Sequence, residues 1–184
     1  MMNSKKRLRS LMVLPLAGLM VACGSAAGDE ESSATVSEQV LRLTATSDIP
    51  SMDITAATDL VSFTAMNNAF EGLYTLDLDG KAIPASAADL PEISEDGLVY
   101  TFTIRDDAVW SNGDPVTSSD YVYAWQKMVD STVAAGYAYM YDGLIQNATE
   151  IIAGELDPAE LAVEAISDKE LQVTLVQPAP YFLD

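Results

Sequence analysis

Residues 98–129 read LVYTFTIRDDAVWSNGDPVTSSDYVYAWQKMV, and two periods meet inside them. Leu98, Tyr100, Phe102 and Ile104 fall on one face of a strand, while Thr101, Thr103 and Arg105 take the other. Glu95-Asp96-Gly97 supplies the turn before it, and Asn112-Gly113-Asp114-Pro115 supplies a turn after it. The period then changes. Thr117 is placed as a helix N-cap, Asp120 as the acid of a shortened capping box, and Val116 as a staple against Tyr121. Tyr121, Val122, Ala124, Trp125, Met128 and Val129 repeat at helical spacing. The stretch therefore predicts strand, turn and capped helix. Its crowded aromatics look like a pocket, but packing gives them sufficient employment, and both Trp110 and Trp125 are expected in the core.

Working outward, LRLTATS (41–47) alternates Leu41, Leu43 and Ala45 with polar partners and predicts a strand. IPSMDITAATD (49–59) reads as a polar loop. VSFTAMNNAFEGL (61–73) spaces Val61, Ala65, Phe70 and Leu73 for one helical face. LYTLDLDGKAIP (73–84) predicts a hairpin around an Asp-Gly turn. Asn147-Ala-Thr-Glu150 has the spacing of a capping box, and Asp157-Pro158-Ala-Glu160 starts another helix with proline at its first position. LAVEAISDKELQVTLV (161–176) closes the region as a hairpin. The sum is an α+β fold with mainly antiparallel pairing and short helices.

Of 184 residues, 49% are hydrophobic and 20% charged, enough to bury a core. The formal charge is -19; four of the nine basic residues lie in the first ten positions, and all 28 acidic residues follow position 28. Such a surface repels phosphate backbones, so nucleic acid is excluded as a partner. There is no histidine, which excludes Ser-His-Asp and Cys-His nucleophile systems. Asp77-Leu-Asp79-Gly80 carries only a fragment of a calcium-loop spacing and reads as a hairpin turn. Asp106-Asp107 and Glu92/Glu95/Asp96 read as solvated loops. No catalytic residue, metal ligand or cofactor is assigned.

The N-terminus has the layout of an address. MMNSKKRLRS is a basic segment, and LMVLPLAGLMVA (11–22) is an apolar run of twelve residues. As a helix it would rise about 18 Å, short of a hydrocarbon core of roughly 30 Å. Leu19-Met20-Val21-Ala22-Cys23 resembles a bacterial lipobox, with Met20 where leucine is usual. That resemblance implies a lipoprotein signal peptide over 1–22, lipidation of Cys23 and membrane anchoring. An ordinary signal peptide with an incidental cysteine is the alternative. The small, acidic residues that follow make 23–40 a flexible tether.

YTFTIRDDAVWSNGDPVTSSDYVYAWQKM (100–128) resembles the signature region of bacterial extracellular solute-binding proteins of the oligopeptide/dipeptide/nickel class. The likeness extends through FEGLYTLDLDGKAIPASAADLPE (70–92) and IIAGELDPAELAVEAI (151–166) to QPAPYFLD (177–184). The resemblance implies the N-terminal part of a two-lobed periplasmic-binding-protein-like clamp. Residues 41–70 would start the first lobe, and 71–184 would form a small subdomain attached to it, the second lobe lying beyond. It also implies a lipid-anchored receptor on the extracytoplasmic face of the membrane. Such a receptor binds extended oligopeptides, delivers them to the permease of an ABC importer and performs no catalysis. Carried over by position, Thr58, Asp59 and Leu60 would pair with the peptide main chain, and Tyr137 would line the peptide site. Binding of nickel chelates or dipeptides on the same fold is a competing function, and a carboxylate-based surface lipoprotein enzyme is a more distant one.

Overall fold

In the computed structural model, residues 40–183 are described. The signal peptide 1–22, Cys23 and nearly all of the tether 23–40 lie outside the described residues.

The body is built on a four-stranded antiparallel sheet in the order β3-β4-β6-β5. Its strands are β3 (Glu92–Ile93), β4 (Val99–Thr103), β5 (Val163–Ser167) and β6 (Glu170–Thr174). A separate antiparallel hairpin joins β1 (Tyr74–Leu76) to β2 (Ala82–Pro84). The helices are α1 (Leu60–Asn67), α2 (Ser118–Val129) and α3 (Ala148–Ile152). The expected α+β, mainly antiparallel architecture is the one observed.

The alternation in 98–105 is realised as read. Tyr100 pairs with Val173 and Phe102 with Leu171, so the inward residues of β4 and β6 meet across one face. Phe102 is 2% exposed and lies 6.0 Å from the Tyr74 ring and 6.4 Å from the Phe182 ring. Ile104, Ile145, Ile151, Leu161 and Val163 complete the same cluster. α2 crosses β5 and β6 and adds Val129, with Tyr121, Val122 and Trp125 partly covering the core.

The turn between β5 and β6 fixes where α2 begins. Ser118 N donates to the Asp168 carbonyl at 2.9 Å, and the Ser118 hydroxyl donates to the Ser167 carbonyl. Lys169 Nζ donates to the carbonyls of Val116 and Arg105, at 2.9 and 3.2 Å. One turn thus holds the end of β4 and the start of α2. The cap is also as read: Asp120 Oδ2 accepts from Thr117 N at 2.8 Å and from Thr117 Oγ1 at 3.0 Å. Asp120→Ala leaves that donor uncapped. A loss of about 1 kcal/mol is expected, visible as a lower urea midpoint with unchanged slope.

Several expectations are corrected. Residues 41–47 form no strand; Leu41 and Leu43 are 80% and 78% exposed. Alternation makes a strand only where an edge is available to pair, and no described strand pairs with this segment. α1 forms, but it ends at Asn67 and buries Ser62 and Met66, so Phe70 and Leu73 are not on its face. Trp110 is not in the core: it is 48% exposed, with Nε1 donating to Asp120 Oδ2 at 3.4 Å. Trp125 packs as expected, edge-on to Tyr141 at 6.2 Å. Asn147 does not act as a capping box. Its backbone is left-handed (φ 71°), and its Nδ2 donates to the Glu160 carbonyl at 2.6 Å. Asp157 does cap, accepting from Ala159 N at 2.9 Å, but the element that follows, Pro158–Glu160, is a single 3-10 turn. Asp77–Gly80 is the hairpin turn: Asp77 Oδ1 accepts from Asp79 N and Lys81 N, both at 2.9 Å.

Candidate peptide-binding surface

The segment 51–60 is ordered by its own polar side chains. Asp53 Oδ1 accepts from Thr55 N at 2.9 Å and Thr55 Oγ1 at 2.7 Å, while the Asp53 carbonyl accepts from Ala57 N at 2.9 Å. The hydrogen bonds from Thr55 hold the Asp53 carboxyl below the usual carboxylate range. The turn buries Thr55 and Ala57 and leaves Thr58 on the surface. Ser62, fully buried, accepts from Ser51 N at 3.2 Å and ties the loop to α1.

Asp59 is the N-cap of α1, with extended backbone (φ -118°, ψ 153°) and Oδ1 accepting from Ser62 N at 2.9 Å. That hydrogen bond lowers its pKa from the ordinary value. The stability contributed by the charged cap is therefore present above the unfolded pKa and is lost as pH falls through the lowered one. The Asp59 side chain is committed to the helix. Its neighbours' main-chain groups are not: among the described residues, no backbone hydrogen bond uses the N–H or carbonyl of Thr58 or the N–H of Leu60. Only Asp59, between them, is fixed as extended; the Leu60 N–H is the first free donor of α1. Leu60 is 80% exposed, so no described residue covers it.

Tyr137 comes to the same place from a distant part of the chain. Asp130, at the end of α2, accepts from Thr132 N at 2.8 Å and Thr132 Oγ1 at 2.7 Å and starts the loop 131–136. Tyr137 then begins the 3-10 turn Ala138–Met140. Its ring lies edge-on to Phe63 of α1, centroids 5.5 Å apart. A Cβ built on Gly136 would stand 2.6 Å from Thr58 Cγ2, so only glycine lets the two segments touch in this arrangement. Lys127 Nζ and Asp53 Oδ2, 3.4 Å apart, join the same two regions.

The structure thus brings Thr58 against Gly136 and Phe63 against Tyr137, so the start of α1, with Asp59 and Leu60, and the segment carrying Tyr137 lie together. It does not enclose them. Two shallow clefts of about 600 Å³ and 340 Å³ are lined by other residues, including Phe70 and Tyr74 in one and Tyr123 and Val133 in the other. Phe63 and Gly136 join the surface although sequence reading did not single them out, and Tyr139 follows Tyr137 in the aromatic-rich run 137–141. The i, i+2 spacing of Tyr137 and Tyr139 is the one available signal. Among the described residues no acidic, cysteine or histidine cluster could hold a metal, and no helix is long and apolar enough to cross a membrane.

The family model "Bacterial extracellular solute-binding proteins, family 5 Middle" matches residues 81–184. The chain is 38% identical over 171 residues to a dipeptide-binding protein of Lactococcus lactis subsp. cremoris, covering 92% of this chain and 29% of the relative. It is 38% identical over 169 residues to the periplasmic oligopeptide-binding protein OppA of Escherichia coli, covering 91% and 31%. Among solved structures, Listeria monocytogenes OppA bound to peptide superposes with a TM-score of 0.75 at 50% identity, covering 78% of this chain and 28% of that one. The chain therefore spans about 30% of the length of these curated relatives. The fold is that of a part of the periplasmic-binding-protein-like OppA structure. The resemblance carried by residues 70–184 and the matched model agree, and the chain belongs to the bacterial extracellular solute-binding proteins of family 5.

Proposed function

We propose that the protein captures extended oligopeptides outside the cytoplasmic membrane and passes them to the permease of an ABC importer. One observation carries this reading: the free main-chain groups of Thr58 and Leu60, on the segment that meets Gly136, the neighbour of Tyr137. An extended peptide satisfies such groups as an added strand, whatever its side chains. The names of the relatives support it, since they are said to bind oligopeptides or dipeptides. In this reading residues 41–70 begin the first lobe, 71–184 form the attached subdomain, and a second lobe closes over the ligand.

Calorimetry of the full-length gene product against peptides of two to six residues tests the reading. Binding without turnover is expected. Tyr137→Ala is expected to weaken it about ten-fold, the loss of one aromatic contact and its burial. Equal affinity retires Tyr137 as a contact. The same series separates oligopeptides from the dipeptides suggested by the Lactococcus relative's name.

Lipid on Cys23 would hold the receptor at the membrane surface, with the acidic tether giving it reach. Cys23→Ser is expected to move the protein from the membrane fraction to the medium or periplasm and to abolish labelling by radioactive palmitate. Unchanged partition would remove the anchor from the account.

A further inference from the structure

Near the start of α1, three rings stand in a row. Phe63 and Tyr137 meet edge-on at 5.5 Å, and Tyr137 and Tyr139 are 5.9 Å apart with planes inclined by 39°. The far end of the row is uncovered: Tyr139 is 65% exposed. Its main chain belongs to the Ala138–Met140 turn, closed by Met140 N donating to the Tyr137 carbonyl at 3.1 Å. Neither tyrosine hydroxyl has a hydrogen-bond partner among the described residues, whereas Tyr74 and Tyr121 do, through the Asp89 carbonyl and Ser86.

Three aspartates on the segments that carry or adjoin these rings have partners within the protein. Asp59 caps α1, Asp53 is held by Thr55 and Lys127, and Asp142 accepts from Thr149 Oγ1 at 2.6 Å. The row itself offers ring faces and two hydroxyls that have no hydrogen-bond partner among the described residues. The contact between Thr58 and Gly136 makes it continuous with the Thr58–Leu60 segment.

We propose that Tyr139, with Phe63 and Tyr137, forms a side-chain subsite that selects peptides carrying a neutral aromatic residue at one position. This rests on the reading that Thr58 and Leu60 pair with the peptide main chain. Side chains of an extended peptide alternate in direction at about 3.3 Å per residue, so a short row of rings meets only one or two of them. Offset or edge-to-face ring contacts stabilise beyond the area they bury, and the chain's net charge of -19 further disfavours an acidic residue there.

The test uses calorimetry of the full-length protein with pentaalanine and with peptides in which a single Phe or Glu replaces each alanine in turn. At one or two positions Phe is expected to bind about ten-fold more tightly than Ala, a gain Glu does not give. Tyr139→Ala should reduce the Phe-to-Ala ratio to about two or less, and Tyr139→Phe should keep it. A ratio unchanged in Tyr139→Ala overturns the proposal. So does an unchanged ratio with a lower thermal midpoint, which would make Tyr139 a ring covered by the protein itself. If the peptides bind and no position prefers Phe, the subsite falls while the peptide-receptor reading stands. If none binds, both fall.

Discussion

Phe102→Ala is expected to destabilise the full-length protein by about 3–5 kcal/mol. Phe102 is 2% exposed and faces Leu171 across the β4–β6 pair. The rings of Tyr74, Tyr100 and Phe182 surround it at 6.0, 6.3 and 6.4 Å. These neighbours come from β1, from β4 itself and from the 177–183 turn. They cannot collapse together into the space a phenyl ring leaves, so a cavity term adds to the lost burial. Domains have total stabilities of about 5–15 kcal/mol, so the loss is a large part of the whole. Guanidinium unfolding followed by tryptophan fluorescence reads it. Thr103→Ala, on the exposed face of the same strand, is the control and should stay within about 0.5 kcal/mol.

Leu60→Pro is expected to do the reverse, sparing stability and weakening peptide binding at least thirty-fold. Leu60 is the first residue of α1, where a missing N–H costs the helix nothing and the fixed φ suits the helical turn. The residue before it must be extended, and Asp59 already is, at φ -118° and ψ 153°. Proline therefore fits the fold. What it removes is the N–H proposed to pair with the peptide, leaving a desolvated ligand carbonyl without a donor, a cost of about 2 kcal/mol. Leu60→Ala keeps the N–H and separates the main-chain contribution from the side-chain one.

The capped helix α2 and the strand before it were legible because each carries its own evidence within a few residues. β4 alternates, Thr117 and Asp120 close the cap, and neither needs a distant partner to be recognised. The misreadings share the opposite property. Leu41 and Leu43 alternate correctly, but a strand depends on an edge elsewhere. Trp110 lies at the surface with its N–H donating to Asp120, a contact invisible to any count of aromatics. Asn147 takes a left-handed backbone and turns its amide toward Glu160, across the next loop.

The candidate surface was less legible still. Main-chain N–H and carbonyl groups carry no residue signature, so Thr58 and Leu60 were reached through family resemblance and not through their chemistry. Their juxtaposition with Tyr137 depends on the Gly136–Thr58 approach and the Phe63–Tyr137 contact, both far apart in sequence.

The central claim is that the Thr58–Leu60 segment pairs with the backbone of an extended peptide. Side-by-side calorimetry of the wild-type full-length protein, Leu60→Ala and Leu60→Pro against one oligopeptide tests it most directly, with thermal midpoints measured on the same samples. The account predicts binding by the first two within about three-fold of each other, and at least thirty-fold weaker binding by Leu60→Pro at an unchanged midpoint. Equal affinity of Leu60→Pro and the wild type would contradict it.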